Sequence, residues 1–450
     1  MKIARSSAQR RLRLLLACTG VATGGAWGSV ALALAHDHAC ASLLQGQAAT
    51  AETVRIIVLL AALPLGALVG ALPLDLVSHA LGRRPATLVC ATLVMVGAVV
   101  GAVSAAVAST WGQSVGALVT GLGVGGFTIV TPKLAHELAE RGHRRLVPRL
   151  AASLPAGAGL ALLAGEAGEL LLPGQALVLG WLAPLTSGVL VVLVATSLPE
   201  TPHWYVAHGK VEAAHAALRR MTDPLEAAVG IDWVMMDAGM LGEQKALSAS
   251  DLRVDRVRRT VVVGAVLELV QGLPLGLTAI CLTPAALALR AGGCAPVWGV
   301  AALACAWMVL GIVARRRRPE HMLLAWVLAG TGMAACGLVL LTLLGRMGLA
   351  GDQWVLVVVS TILVAAHYVL IAPACTGGTD PLVPPWLLRS QRRAEAVNRP
   401  LVQLVSVLCP TLMLALGVSG PVVLGVCLGL QLTSLLLVLL ALPRLATALR

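Results

Sequence analysis

The sequence predicts an all-α integral membrane protein with twelve transmembrane helices arranged as two six-helix bundles. Of its 450 residues, 58% are apolar and only 12% are charged, and the mean hydropathy is +0.88. That composition is too apolar for a water-soluble fold. Apolar windows long enough to cross a bilayer recur along the chain, and basic residues collect on every second connection between them.

The apolar windows form two sets of six, separated by a polar stretch. They lie near 14–35, 54–74, 86–109, 112–132, 148–168 and 175–197, and again near 260–289, 296–314, 321–344, 354–375, 397–417 and 420–442. We therefore predict a six-helix bundle over 1–197, a cytoplasmic helical loop over 198–259 and a second six-helix bundle over 260–450.

Lysine and arginine set the predicted orientation, because basic residues favour the cytoplasmic side of a membrane. Of the 33 basic residues, only Arg55, Arg290 and Arg346 fall on connections assigned to the outer side. Both ends of the chain are therefore predicted to be cytoplasmic. The first window also has the basic start and small-residue stop of a signal peptide. Removing it would break the alternation, so we predict a helix there.

Composition argues against metal, cofactor and nucleic-acid chemistry. The ten cysteines lie mostly within apolar stretches and lack C-x-x-C spacing, so we interpret them as small core residues. The outer His36-Asp37-His38 with Cys40 is interpreted as a solvated loop. The net charge of +12 sits in short clusters beside apolar windows, which favours contact with anionic lipid headgroups over nucleic acid.

Three segments of the first half, each placed on the cytoplasmic side, have distinctive patterns. Residues 81–85 read LGRRP, where glycine allows a tight reversal and the arginines can reach helix-end carbonyls or acidic partners. Residues 116–145 form a glycine-rich helix that ends near Glu137 and is followed by Arg144. Residues 198–204 read LPETPHW after the sixth window.

In order and spacing, these segments resemble the sugar porter family of the major facilitator superfamily. Members carry G-R-R after the second helix, P-x-Y-x-x-E…R at the end of a glycine-rich fourth helix, and P-E-S-P-R-W-L after the sixth. In the second half, 317–319 resembles a repeated G-R-R, and 387–400 resembles a segment of plant polyol and monosaccharide porters. The resemblance implies a major facilitator fold and transport of a sugar or polyol by alternating access.

In that family the motif charges form a cytoplasmic lattice that holds the two halves together when the carrier faces outward. The residues carried over by position, called here the cytoplasmic gate, are Arg83, Arg84, Glu137, Arg144, Glu200, Arg317, Arg318 and Arg389. Several paired charges in a partly dry interface make a two-state contact. The alternative interpretation is that these charges only anchor helix ends.

The chain departs from the family pattern at several motif positions. The acidic residue before G-R-R is replaced by His79, with Asp75 one turn earlier as a possible substitute. The glycine-rich helix has Ala117 and Leu134 where the family has Arg and Tyr, and the segment after the sixth helix has His203 in place of Arg. These changes remove partners from the expected lattice.

Candidate substrate-binding residues are few. Sugar porters bind hydroxyl groups with polar side chains from the fifth, seventh and tenth helices, and the resemblance leaves Ser153 and Gln271. Glu268 and His367 are ionisable groups inside predicted spans, and such groups are functional hypotheses because burying them is costly. We expect Glu268 to be the only carboxylate inside a span that could face the cavity. Transport is therefore predicted to be uniport or to couple protons through Glu268.

Other functions remain open on the sequence. One alternative is a degenerate paralogue that no longer transports and acts as a sensor, and another is an efflux carrier for apolar compounds. No catalytic constellation stands at a membrane face, so the chain is not expected to be an enzyme. The expected partners are a small-molecule sugar or polyol, protons and the lipid bilayer. No cofactor, metal ion or nucleic acid is expected, and the plasma membrane is the expected location.

Overall fold

The protein is described by a computed structural model over residues 2–36, 50–138, 148–221 and 224–242, with isolated positions and short runs between 253 and 440. Regular structure in the four continuous segments is α-helical, as predicted. The helices there are α1 (Lys2–His36), α2 (Thr50–Ala80), α3 (Arg83–Ala106), α4 (Thr110–Leu138), α5 (Pro148–Leu171), α6 (Ala176–Gly180), α7 (Leu182–Thr196), α8 (Pro202–Ala207), α9 (Val211–Met221) and α10 (Pro224–Gly242).

Six stretches of the described residues are long and apolar enough to cross a membrane, and they coincide with the six windows predicted for the first half. Their bounds are Gln9–Leu34, Ala51–Ala80, Arg83–Ala106, Thr110–Leu138, Ser153–Leu171 and Ala176–Thr196. The sixth consists of α6 and α7, which meet at the buried Trp181. Of the six windows predicted after residue 260, the one near 397–417 is largely described, with helix at 400–405 and 411–413, and the other five lie mostly outside the described residues.

The third span shows how the bundle meets its surroundings. Val89, Val96 and Val103 are seven residues apart, so they share one face of α3, and all three are exposed. The opposite face carries Cys90 and Val94, which are fully buried. An apolar side chain on both faces of one helix is the pattern of a membrane span, with one face toward protein and the other toward lipid.

The glycine-rich α4 packs most closely against α2 and α3. A Cβ atom at Gly121 or Gly125 would overlap a backbone carbonyl of α2, and one at Gly123 would overlap the carbonyl of Cys90 in α3. These glycines therefore allow α4 to approach both neighbours at backbone distance. On the other side of the bundle, α1 packs against α5 and α7.

The short helices α8, α9 and α10 follow the sixth span and pack against one another. In α9, Ala214, Ala217 and Met221 repeat at helical spacing and are buried. Glu212 lies in its first turn, and Arg219 and Arg220 lie in its last turn, which matches the helix dipole. Helix α9 contacts α1, and α8 contacts α4, so these two helices lie beside the site described next.

Candidate cytoplasmic gate

The N-terminus of α3 is capped by a carboxylate from a distant part of the chain. Gly82 precedes the helix and offers no side chain for a cap. Instead, Oε1 of Glu200 accepts the backbone N–H of Arg83 at 2.9 Å, and Oε2 accepts that of Arg84 at 3.0 Å. Oε1 also accepts the N–H of Thr201 at 2.8 Å. A carboxylate on the first amides of a helix satisfies their hydrogen bonds and the helix dipole, so Glu200 ties the end of the sixth span to the start of the third.

This cap depends on glycine at position 82. Gly82 has a φ of 113°, in the region that residues with a side chain rarely adopt. A Cβ atom there would also collide with the carboxylate of Glu200. Glycine is thus needed in the G-R-R pattern for two reasons, because it makes the turn and because it leaves room for the Glu200 carboxylate.

Arg83 brings three helices together at the same end of the bundle. Its Nε and Nη2 donate to Oε1 of Glu137 in α4 at 3.2 and 3.1 Å. Its Nη1 donates to the carbonyl of Ser78 in α2 at 2.9 Å. The side chains of Arg83 and Glu137 are only 10% and 12% exposed. The pair is therefore largely shielded from water, where a lost partner costs more than at the surface.

Further donors reach the carbonyls at helix ends nearby. Arg84 Nη2 donates to the carbonyl of Thr196 at 2.8 Å, and Arg11 Nη1 donates to that of Ser197 at 3.1 Å. Cations at the C-terminal end of α7 are favourable because the last carbonyls of a helix lack intrahelical partners. In α8, the indole Nε1 of Trp204 donates to the carbonyl of His79 at 2.9 Å, which attaches α8 to the end of α2.

A second charged pair joins α2 and α4 deeper in the bundle. Lys133 Nζ donates to the carboxylate of Asp75, and the two side chains are 10% and 1% exposed. Nε2 of His79 lies 3.8 Å from the same carboxylate oxygen, and the His79 side chain is 31% exposed. Helix α4 therefore contributes the cation, Lys133, to one pair and the anion, Glu137, to the other.

A family model described as "Sugar (and other) transporter" matches residues 23–439. The chain belongs to this family. The prediction of a carrier rather than an enzyme is thereby confirmed, because the family consists of transporters. The protein is accordingly an integral membrane protein that crosses the bilayer several times.

Solved structures show the fold of this family member. The proton:xylose symporter XylE bound to 6-bromo-6-deoxy-D-glucose matches with a TM-score of 0.74, at 14% identity over 96% of this chain and 95% of that chain. The partially occluded inward-open xylose transporter XylE from E. coli matches with 0.73, at 15% identity over 95% and 98%. The human organic anion transporter MFSD10 matches with 0.55, at 15% identity over 96% and 99%. These similarities show the major facilitator fold.

A more distant relative matches only in part. Solute carrier family 22 member 7 of Sus scrofa is 32% identical over 173 residues. The aligned part covers 38% of this chain and 30% of that relative. The finer likeness to plant polyol porters stays a prediction.

The structure brings four of the predicted gate residues of this family member together. Arg83 and Glu137 form an ion pair, and Arg84 reaches a helix-end carbonyl. Glu200 was expected to pair with arginine side chains, but in the described residues it accepts the backbone amides of Arg83 and Arg84. The gate residues that lie outside the described residues are Arg144, Arg317, Arg318 and Arg389.

Of the four predicted substrate-binding residues, Ser153 alone lies among the described residues. Ser153 lies in α5 and is fully buried, with a contact partner inside the protein. Gln271, Glu268 and His367 lie outside the described residues. Among the described residues no cluster of three or more potential metal-ligating side chains occurs.

Sequence reasoning missed Lys133 and Glu166 as intramembrane charges. Lys133 was counted only as a cytoplasmic cation, because the fourth apolar window ended just before it, but α4 continues to Leu138. Glu166 lies inside the fifth span and is only 4% exposed. Glu166 is thus a carboxylate inside a span in addition to Glu268, and the expectation that Glu268 is the only one that could face the cavity stays a prediction. A check of every acidic residue within the 148–168 window would have found Glu166.

Most buried hydroxyl groups in the described spans are used within their own helices. Thr19 and Thr23 of α1 donate to carbonyls of α1 at 2.9–3.1 Å. Thr120 of α4 donates to Gly116 at 2.8 Å, and Ser187 of α7 donates to Ala183 at 2.6 Å. A hydroxyl that already satisfies a backbone carbonyl has less capacity to bind a polar substrate.

Proposed function

We propose that the protein carries a sugar or polyol across a membrane by alternating access. The family membership supports transport, and the fold is shared with XylE, whose structures are described as those of a xylose carrier. The single observation that supports a moving carrier is the charged contact between Arg83, Glu137 and Glu200 at one end of the first bundle. The positive-inside pattern assigns that end to the cytoplasm.

The proposed movement is a rocking of two bundles, 1–197 and 260–450, joined by the loop 198–259. Glu200 holds the junction between the first bundle and this loop, because its carboxylate lies on the first amides of α3. Arg83 and Glu137 hold the neighbouring ends of α2, α3 and α4. Arg144, Arg317, Arg318 and Arg389 are the further gate members in this proposal. Partly shielded charge contacts are either formed or broken, so they give two discrete conformations instead of a continuous range of conformations.

The proposed substrate site lies between the bundles and includes Ser153, Gln271, Glu268 and His367. The proposed mode of transport is uniport, or symport in which a proton binds Glu268. Substrate would be a small polyhydroxylated molecule, and the plasma membrane is the proposed location. The family and the fold support this substrate class more directly than the described side chains do, because those spans offer few free hydroxyl partners.

Uptake in cells tests this proposal. Radiolabelled D-xylose, D-glucose and sorbitol would be offered to transporter-null cells expressing the wild type, Glu137→Gln or Glu212→Gln. Glu212 is an exposed carboxylate of α9, so its variant controls for loss of one charge. We expect wild-type and Glu212→Gln cells to accumulate at least one of these compounds and Glu137→Gln cells to lose most uptake. Surface-expressed wild type that carries none of them would support the non-transporting alternative.

Coupling is tested by the same uptake with and without a proton gradient, in the wild type and in Glu268→Gln. Uniport predicts that the substrate equilibrates without accumulation under both conditions. Coupling through Glu268 predicts accumulation that depends on the gradient and is lost in Glu268→Gln. Gradient-driven accumulation that survives Glu268→Gln would contradict both branches.

An efflux carrier for apolar compounds is the second candidate. It is favoured by the hydroxyl groups of α1, α4 and α7 that bond to their own helix carbonyls, which leaves an apolar set of side chains. Cells loaded with a lipophilic fluorescent dye would test it. Faster dye loss with the wild type than with Glu137→Gln, in cells that take up no sugar, would support efflux.

A further inference from the structure

The Asp75–Lys133 pair is unusual because it is buried within membrane-spanning helices and yet has a partly exposed neighbour. The Asp75 side chain is 1% exposed and cannot meet bulk water directly. His79 follows it by one turn on α2, approaches the Asp75 carboxylate at 3.8 Å and is 31% exposed. His79 is therefore placed between solvent at the end of the bundle and a buried carboxylate.

We propose, on the basis of the transport function above, that Asp75 is a proton-binding site reached from the cytoplasmic end through His79. The imidazole takes a proton from hydronium, which leaves water, and passes it to Oδ1 of Asp75. In this second transfer an N–H bond breaks, an O–H bond forms and the imidazole returns to its neutral form. At 3.8 Å the transfer needs a small rotation of the ring or one bridging water. Histidine suits this relay because it exchanges protons close to neutral pH.

Proton binding at Asp75 has a consequence for the gate. Neutral Asp75 leaves Lys133 without its counter-charge in a buried position, which is strongly unfavourable. Glu137 stands four residues further along α4 and therefore shares the helix face of Lys133. Lys133 then competes with Arg83 for Glu137, and the Arg83–Glu137 contact weakens. A proton bound from the cytoplasm thus favours opening toward the cytoplasm.

Charged and titratable groups surround this site from several helices. Lys133 interacts electrostatically with Asp75, Arg83 and Glu137. Glu137 in turn interacts electrostatically with His203 of α8. From α1, Arg11 reaches the carbonyl of Ser197 at the end of α7. The competition for Glu137 therefore involves two cations, Lys133 and Arg83, with His203 beside them.

Infrared difference spectroscopy tests proton binding without any substrate. Purified protein would be titrated from about pH 8 to about pH 4, a range that spans ordinary carboxyl and imidazole titration. We expect a carbonyl band of a protonated buried carboxyl that is present in the wild type and in Glu212→Gln and absent in Asp75→Asn. An unchanged band in Asp75→Asn would overturn the proposal.

A second variant keeps the buried pair, because Asp75→Asn removes the partner of Lys133 and risks unfolding. His79→Gln removes the relay and leaves Asp75 and Lys133 in place, and His215→Gln in α9 is its matched control. After a pH jump we expect the Asp75 band to form at least about tenfold more slowly in His79→Gln than in His215→Gln. Equal rates in these two variants would overturn the relay.

Transport separates failure of this inference from failure of the proposed function. In proteoliposomes that transport D-xylose, we expect the transport rate to rise when the solution facing the cytoplasmic end of the protein is acidified. We expect this response to be lost in His79→Gln but kept in His215→Gln. A wild type that carries no sugar but shows the Asp75 band would refute the sugar function and keep the proton site. Sugar transport without that band would refute the proton site alone.

Discussion

The contact between α2 and α4 changes character along its length. In the middle, Gly121 and Gly125 of α4 lie against the backbone of α2, and no side chain could fit between them. At the charged end, the same two helices are joined by the Asp75–Lys133 pair, and Arg83 of the neighbouring α3 pairs with Glu137 of α4. Backbone contact in the middle fixes the spacing of the helices. Charge pairs at the end can exchange partners, so that end is suited to switching.

The largest expected effect comes from removing one partner of the buried pair. Lys133→Met leaves the Asp75 carboxylate buried without its cation, so we expect a loss of about 3–5 kcal/mol in the free energy of unfolding. The exposed Lys210→Met is the matched control, with an expected change within about 0.5 kcal/mol. Thermal unfolding of detergent-solubilised protein measures both.

The double variant Asp75→Leu/Lys133→Met sharpens this prediction. With both charges gone, the unpaired carboxylate no longer exists, so we expect the double variant to recover most of the loss. If Lys133→Met costs no more than Lys210→Met, the pair contributes nothing and the charged end would not differ from the surface.

The middle of the contact predicts a smaller but distinct effect. Gly121→Ala places a methyl group against the carbonyl of Leu63, so we expect a loss of about 1–3 kcal/mol from forced separation of the helices. Gly230→Ala in α10 is the control, because a Cβ there meets only side-chain atoms of Leu218 at 3.8 and 3.9 Å. Alanine favours a helix over glycine, so Gly230→Ala should stabilise by up to about 1 kcal/mol. Equal stability for the two variants would mean that α4 does not need close approach.

The cap on α3 predicts the smallest loss. Glu200→Gln keeps one oxygen acceptor but loses the charge and the second acceptor on the amides of Arg83 and Arg84. We expect a loss of about 1–2 kcal/mol, compared with a change within about 0.5 kcal/mol for the exposed Glu212→Gln. The same thermal unfolding assay checks it. A loss above that of Lys133→Met would reverse the order predicted for the two kinds of contact.

The sequence was sufficient for the six spans of the first half and for the position of the charged end along the chain. Hydropathy finds a span because a bilayer demands about 20 apolar residues, and G-R-R marks a turn because Gly82 needs a positive φ. The role of Glu200 was not readable, because a carboxylate that caps a helix and one that pairs with arginine have the same sequence pattern. Lys133 was missed because a window average cannot register one charge that is neutralised by a distant residue, Asp75.

Entrance counterflow in proteoliposomes tests the central claim, that the charged end is the gate of an alternating-access carrier. Radiolabelled D-xylose added outside vesicles preloaded with unlabelled D-xylose enters by exchange, so the measurement needs no ion gradient. We predict a transient overshoot for the wild type and for Glu212→Gln, and an initial rate at least about tenfold lower for Glu137→Gln, since about 1.4 kcal/mol at the gate already gives that factor. A folded Glu137→Gln protein that exchanges D-xylose as fast as the wild type would contradict the account.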